Sequence, residues 1–240
     1  MYGKILRAAL SGAVLVGLAS PALAGVIRVY PEGPLSIQEA VDLAAPGDTI
    51  VLMRGEYYEF VYVEEKDGLH FAGDGAIWYA PEDMAAATTK DSPFATLLYA
   101  EANGISVRGI RFRGGEEQVH INGDDAVISS CNFAHAYSYA INVVGNGAEI
   151  TRNCIRHTGM VGIGVEGDAA NVRANKVLDV GGFGIAMMGT DLTIHGNLVR
   201  DVGWWRHEAS KQASVNKDVP GMPGIGILAA VLIFGAVLIY

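Results

Sequence analysis

Ile150-Thr151-Arg152-Asn153-Cys154-Ile155 returns in outline as Val172-Arg173-Ala174-Asn175-Lys176-Val177 and again as Ile194-His195-Gly196-Asn197-Leu198-Val199. Each phrase opens and closes on a β-branched residue and carries Asn in its fourth place, and each starts 22 residues after the one before. Working outward, the beat reaches back to Ile128 and Val107. A second apolar pair keeps it as Val119/Ile121, Ile141/Val143, Ile163/Val165 and Ile185/Met187, with Gly123, Gly145, Gly167 and Gly189 following in register. A fixed period of this length means a stacked architecture, because one unit cannot bury its apolar face without neighbours.

Inside a unit the apolar residues pair at spacing two, as in Ile141-x-Val143 and Ile163-x-Val165. That is strand alternation and not a helical period. Gly and Asn interrupt every run, so a helix of about ten residues has no room. Short strands joined by tight corners and wound at about 22 residues per turn predict an all-β parallel β-helix. Successive turns are expected ~4.8 Å apart. The column Asn153, Asn175, Asn197, preceded by Ile110 and Cys131, reads as a structural ladder at a left-handed corner.

Upstream, Ser36-Ile37-Gln38-Glu39-Ala40-Val41-Asp42 leads into Ala45-Pro46-Gly47-Asp48-Thr49-Ile50-Val51-Leu52 and Gly55-Glu56-Tyr57. Ser36 with Glu39 predicts a capping box, and Ile37, Ala40, Val41 and Ala44 form one apolar face. A short helix there would cover the open first turn of the coil. This entry segment, with the repeats, resembles the right-handed parallel β-helix proteins of the pectin-lyase-like superfamily over residues 26–203. The resemblance implies the right-handed coil. It implies no single activity, since the superfamily holds lyases, hydrolases, epimerases, esterases and non-catalytic surface proteins. No lyase active site is carried over onto this sequence.

The flanks predict location. Lys4 and Arg7, the apolar run 8–18 and Ala22-x-Ala24 read as a signal peptide over 1–24. Its removal takes two cations and no acid, moving the net charge from −9 to −11. So acidic a chain argues against a nucleic-acid partner. The β-helix domain is expected over 25–206 and a linker over 207–221. Residues 222–240 read as a hydrophobic helix, acting as a transmembrane anchor or sorting signal. Trp204-Trp205 is expected to cap the last turn. The organisation predicts an exported monomer at the cell surface or outer face of the membrane. Cys131 and Cys154 fall one place apart in the repeat, which points them to opposite faces and argues against a bridge.

In a stacked coil, residues one period apart form a column, so a site is a polar column. One such column is Gly114, His135, His157, Asp179 and Asp201, with Arg113, Arg156 and Arg200 beside it. Its functional reading makes His135, His157 and Arg156 catalytic, with Asp179 and Asp201 as ligands for a Ca2+ ion. Its bland reading is a corner stack of paired side chains. A second column holds His120 and Asn142, with Glu166 alongside. With Tyr137 and Tyr139 these are the expected substrate-binding residues. Asp124-Asp125 falls where other units turn and reads as a turn. Three functions stay open: a surface protein that binds and processes polysaccharide, a lyase, hydrolase or epimerase of acidic glycans, and a non-catalytic structural or adhesive module.

Overall fold

Three left-handed corners bend each turn of the coil. In the computed structural model, which describes residues 24–82, 95–203, 231–234 and 237–239, these corners recur at fixed places in the period. One holds Asp125, Gly147, Ala169 and Asp191, with φ of 58°, 70°, 57° and 54°. The second holds Ser130, Arg152, Ala174 and Gly196 at 55°, 56°, 55° and 64°. The third holds Gly114, His135, His157, Asp179 and Asp201, from 73° down to 52°. Between corners the chain is extended, so each turn contributes one strand to each of three parallel sheets. Among the described residues sheet A has nine strands and sheets B and C have seven each.

The register is the one the repeat predicts. Ile128, Ile150, Val172 and Ile194 pair in succession in sheet A, Phe133, Ile155, Val177 and Val199 in sheet B, and Ile141, Ile163 and Ile185 in sheet C. These columns face inward and are almost all fully buried. Burial at about 25 cal/mol per Å² of apolar surface is the main stabilising term for such a core. The lower turns fill it with rings: Trp78 stacks on Phe112 at 5.5 Å and Phe112 on Phe133 at 5.0 Å.

The asparagine ladder is as expected, with one refinement. Asn153 Nδ2 donates to the Ile128 carbonyl (2.8 Å) and its Oδ1 accepts from the Cys131 amide (2.9 Å). Asn175 and Asn197 repeat the first of these bonds to Ile150 and Val172. The left-handed residue is the one before each Asn, so the amide fills the space inside the corner instead of adopting its backbone. A second ladder runs outside the coil at the first corner. Asp124 accepts from the Asn146 amide, Asn146 from Asp168 and Asp168 from Thr190, at 2.7, 2.9 and 2.7 Å. Asp124-Asp125 is therefore a turn.

The open end is covered by the helix Ile37–Leu43, whose Ser36–Glu39 capping box is complete. Glu59 adds a second cap, its carboxylate accepting from the Ile37 and Gln38 amides at 2.9 and 3.1 Å. Cys131 is buried and Cys154 half-buried, and both are free.

The C-terminal segment differs from its expectation as a hydrophobic helix. Val231–Phe234 and Val237–Ile239 are strands, which extend sheet C beside Ile185–Met188 and sheet A beside Leu192–Ile194. A run rich in Val and Ile suits an unpaired sheet edge. Among the described residues no helix is long and apolar enough to cross a membrane. The expected signal peptide, the Trp204-Trp205 cap and the linker lie outside the described residues.

Gly145, Gly167 and Gly189 stack so closely that a Cβ on any of them would lie 2.1 Å from the carbonyl oxygen of the glycine one turn below. Gly167→Ala and Asn153→Ala are therefore expected to lower the unfolding midpoint. The latter should cost about 2–4 kcal/mol, because it orphans a buried carbonyl and a buried amide. Asn146→Ala, in the exposed ladder, is expected to cost about 1 kcal/mol or less. Chemical denaturation checks all three, and equal costs at positions 146 and 153 would contradict the ladder's assignment to the interior.

Candidate functional site

Strand alternation turns every second residue of sheet C to solvent, and the register stacks these into two outward columns. One runs Tyr62, Tyr99, His120, Asn142, Gly164, Ala186, and the other Glu64, Glu101, Asn122, Val144, Glu166, Met188. In the first three turns they form one hydrogen-bonded chain. Glu117, buried at the start of its strand, lies 2.6 Å from His120 Nδ1. His120 Nε2 lies 3.0 Å from Asn122 Oδ1, and Asn122 Nδ2 donates to the Tyr99 hydroxyl at 2.8 Å. The hydroxyls of Tyr99 and Tyr62 donate to Glu101 at 3.0 and 3.3 Å.

That chain runs in one direction. An ionised Glu101 only accepts, so Tyr99 donates to it and takes the Asn122 amide on its oxygen. Asn122 Oδ1 is left to accept the hydrogen bond from His120 Nε2, while Glu117 engages Nδ1. Both ring nitrogens of His120 are thus in use. Partial burial, with Glu101 and Glu64 adding to it, pushes the Tyr62 hydroxyl up to about 12. Tyr99 is raised by burial and by Glu101, and Tyr139 by burial and by Glu117. The phenols stay protonated at neutral pH and serve as donors and ring faces.

The rings make a platform. Tyr62 and Tyr99 stack at 5.7 Å and 20°, and Tyr99 meets His120 at 4.9 Å. A cleft of about 630 Å³ opens at the adjoining corner beside Glu65, Asp67, Glu101, Asn103 and Asn122. The two outward columns hold no Lys or Arg. Such a face repels polyanions and suits neutral ligands with stackable faces and many hydroxyls.

Of the expected substrate-binding residues, His120 belongs to this chain, and Asn142 approaches it with Nδ2 3.4 Å from His120 Nδ1. Tyr139 lies beside it and covers Gly164. Glu166 is exposed two turns away among Val144 and Met188, outside the network. Tyr137, 73% exposed, is not on this face.

Tyr137 lies instead at the third corner, in a shallow cleft of about 360 Å³ with His135, His157, Thr158 and Asp179. There His157 Nδ1 donates to Asp179 Oδ2 at 2.5 Å, and the His135 ring stacks on His157 at 5.0 Å. His157 and Asp179 are half exposed, so the pair adds little stability. Among the described residues its Nε2 makes no hydrogen bond, which leaves a carboxylate-oriented imidazole with one open nitrogen. All five residues of this column are left-handed, and Gly, His and Asp are among the few types that tolerate that backbone. Arg156 precedes His157 on the outer face of sheet B, without an ion pair among the described residues. Asp201 is not joined to the pair, and among the described residues no three His, Cys, Asp or Glu side chains gather to hold a metal ion.

The family model described as a right-handed β-helix region matches residues 96–217. A pectin methylesterase solved in complex with a hexasaccharide superposes with a TM-score of 0.53 at 16% identity, covering 76% of this chain and 67% of that one. The pectate lyase Pel9A gives 0.44 at 14% identity, and this chain spans 55% of its length while 75% of this chain is covered. The A-module of an Azotobacter vinelandii mannuronan C-5 epimerase gives 0.24 at 14%, covering 70% of this chain and 72% of that one. A search of curated protein sequences gives no match.

The charge of Glu101 helps to hold the Tyr62 and Tyr99 protons, so Glu101→Gln is expected to lower the Tyr62 titration from about 12 and to move that of Tyr99 in the same direction. Phenolate absorbance read against pH tests this. A curve that overlays the parent would break the link between Glu101 and the two tyrosines.

Proposed function

Because the chain belongs to the right-handed β-helix family and has the pectin-lyase-like fold, we propose that it is an exported polysaccharide-binding protein that holds neutral sugar units on the outer face of sheet C. The observation that carries this reading is the stacked Tyr62–Tyr99 pair joined to a saturated hydrogen-bond chain. Aromatic faces cover the apolar side of a sugar ring, and the flanking carboxylate and amide groups take its hydroxyls. Since His120 has no free nitrogen, this face is built to bind and not to move protons. The pectin methylesterase that shares the fold holds a hexasaccharide, which supports a glycan as ligand. Lys4, Arg7 and Ala22-x-Ala24 support export.

A second reading, an enzyme of polysaccharide, is favoured by the His157–Asp179 pair. Its open Nε2 is placed to accept a proton from a substrate lying in the Tyr137 cleft, while Asp179 steadies the ring.

For the binder, Tyr62→Ala and Tyr99→Ala are each expected to weaken a neutral glycan by about fivefold, the equivalent of roughly 1 kcal/mol per lost stacking contact. Glycan titration calorimetry measures this, and unchanged affinity in both variants removes sheet C as the binding face. For the enzyme, His157→Ala should abolish turnover on a polysaccharide panel, and Asp179→Asn should slow it by about tenfold or more. Reducing-end and double-bond assays decide, and full activity in His157→Ala sinks the reading.

A further inference from the structure

Sheet B turns a face of opposite charge to solvent. From Glu56/Tyr58 its outward columns run through Ile77/Tyr79, Arg111/Arg113, Asn132/Ala134, Cys154/Arg156, Lys176/Leu178 and Leu198/Arg200. From Arg111 onward these two columns bear Arg111, Arg113, Arg156, Lys176 and Arg200 and no carboxylate, the nearest acids of the same strands being Asp179 and Asp201 at the corner, in a chain whose net charge is −9. Among the described residues the ion pairs are His120–Glu117, His157–Asp179 and Arg173–Glu149, so none of the five cations is in an ion pair with another described residue. Arg113 is half-buried with its guanidinium fixed to the Phe112 and Asn132 carbonyls at 2.7 and 3.1 Å. Arg111 and Arg156 lie close enough to add to burial in lowering its pKa.

The spacing is regular as well. Arg113, Arg156 and Arg200 occupy one column at every second turn, roughly 10 Å apart. Tyr58 and Tyr79 continue the same column and stack at 5.1 Å and 10°. A line of ring faces followed by evenly spaced cations is a surface for an extended chain.

The geometry points to the outer face of sheet B as a docking track for a linear polyanionic glycan, in which Tyr58 and Tyr79 take a sugar face and the arginine column takes acidic groups recurring about every 10 Å. Charge complementarity selects the polymer. A lipid surface is disfavoured because the exposed large apolar side chains of this face, Tyr58 and Leu198, sit only at its two ends, leaving nothing to insert between the cations. A nucleic acid is disfavoured because no aromatic stands among the cations to stack bases. The track goes beyond the sheet C reading, being a separate face of opposite sign, so one coil would grip an anionic matrix while presenting sheet C to a neutral chain.

The test titrates the full chain with polygalacturonate, with neutral dextran and single-stranded DNA of similar length as comparisons. Binding to polygalacturonate is expected to weaken steeply with salt. It should fall by about tenfold or more in Arg156→Glu/Arg200→Glu. It should hold in Tyr62→Ala/Tyr99→Ala, which separates it from the sheet C site. Bound polymer should also slow alkylation of the half-buried Cys154, which lies in the column of Arg111 and Lys176 two residues before Arg156, while buried Cys131 stays unreactive. Parent-like affinity in the arginine variant, loss of binding in the tyrosine variant, or equal affinity for DNA would overturn the assignment. If charge reversal lowers the unfolding midpoint, Arg156→Gln/Arg200→Gln gives the same reading without the added repulsion.

Discussion

Left-handed corners at fixed intervals are the constraint on which everything else in this molecule depends. A strand that bends sharply three times in about 22 residues returns above its starting point. Once it does, every position meets its own equivalent one turn away at ~4.8 Å. Inward columns must then be apolar throughout, and corner columns must tolerate positive φ or close approach. That explains Gly145, Gly167 and Gly189 in one file and Gly114, His135, His157, Asp179 and Asp201 in another. Where a non-glycine residue takes a corner, neighbouring side chains satisfy the freed backbone groups, as Asn153 and Asn175 do inside the coil.

Outward columns carry no such demand and are free to hold chemistry. Sheet C uses this freedom for rings and carboxylates, and sheet B for uncompensated cations. The difference between a binding face and a reacting one lies in which donors and acceptors are already spent. His120 has both nitrogens committed, so its role is to stiffen the platform. His157 has one, so the same residue type at a corner keeps the capacity for proton transfer.

What could be read from the sequence followed the strength of the period. The asparagine ladder, the inward columns and the helix cap are each stated by spacing alone, and the His157–Asp179 contact was legible because the two are one period apart. Tyr62, Tyr99 and Glu101 escaped notice because their turns are irregular, Tyr62 to Tyr99 spanning 37 residues and Tyr99 to His120 spanning 21. The available signal was local: Tyr-x-Glu at 62–64 and 99–101, answered by His-x-Asn at 120–122. The charge separation between sheets B and C was equally hidden, since acids and bases alternate along the chain and separate only when it is wound. The apolar C-terminal run was read as a helix from its length and lack of charge. A sheet edge offers such a run backbone partners that no reading of the segment in isolation contains.

Indexing by turns also makes length a quantity that selection can adjust. Excising a whole period between equivalent corners, from Ala148 to Ala169 for example, would rejoin Gly147 to Ala170 with the corner and the three sheets still in phase. Duplicating a period would add one rung at the same pitch. A protein built this way is a ruler, and the reach of its surface along a long, repetitive partner can be reset by unequal recombination without a new core being invented.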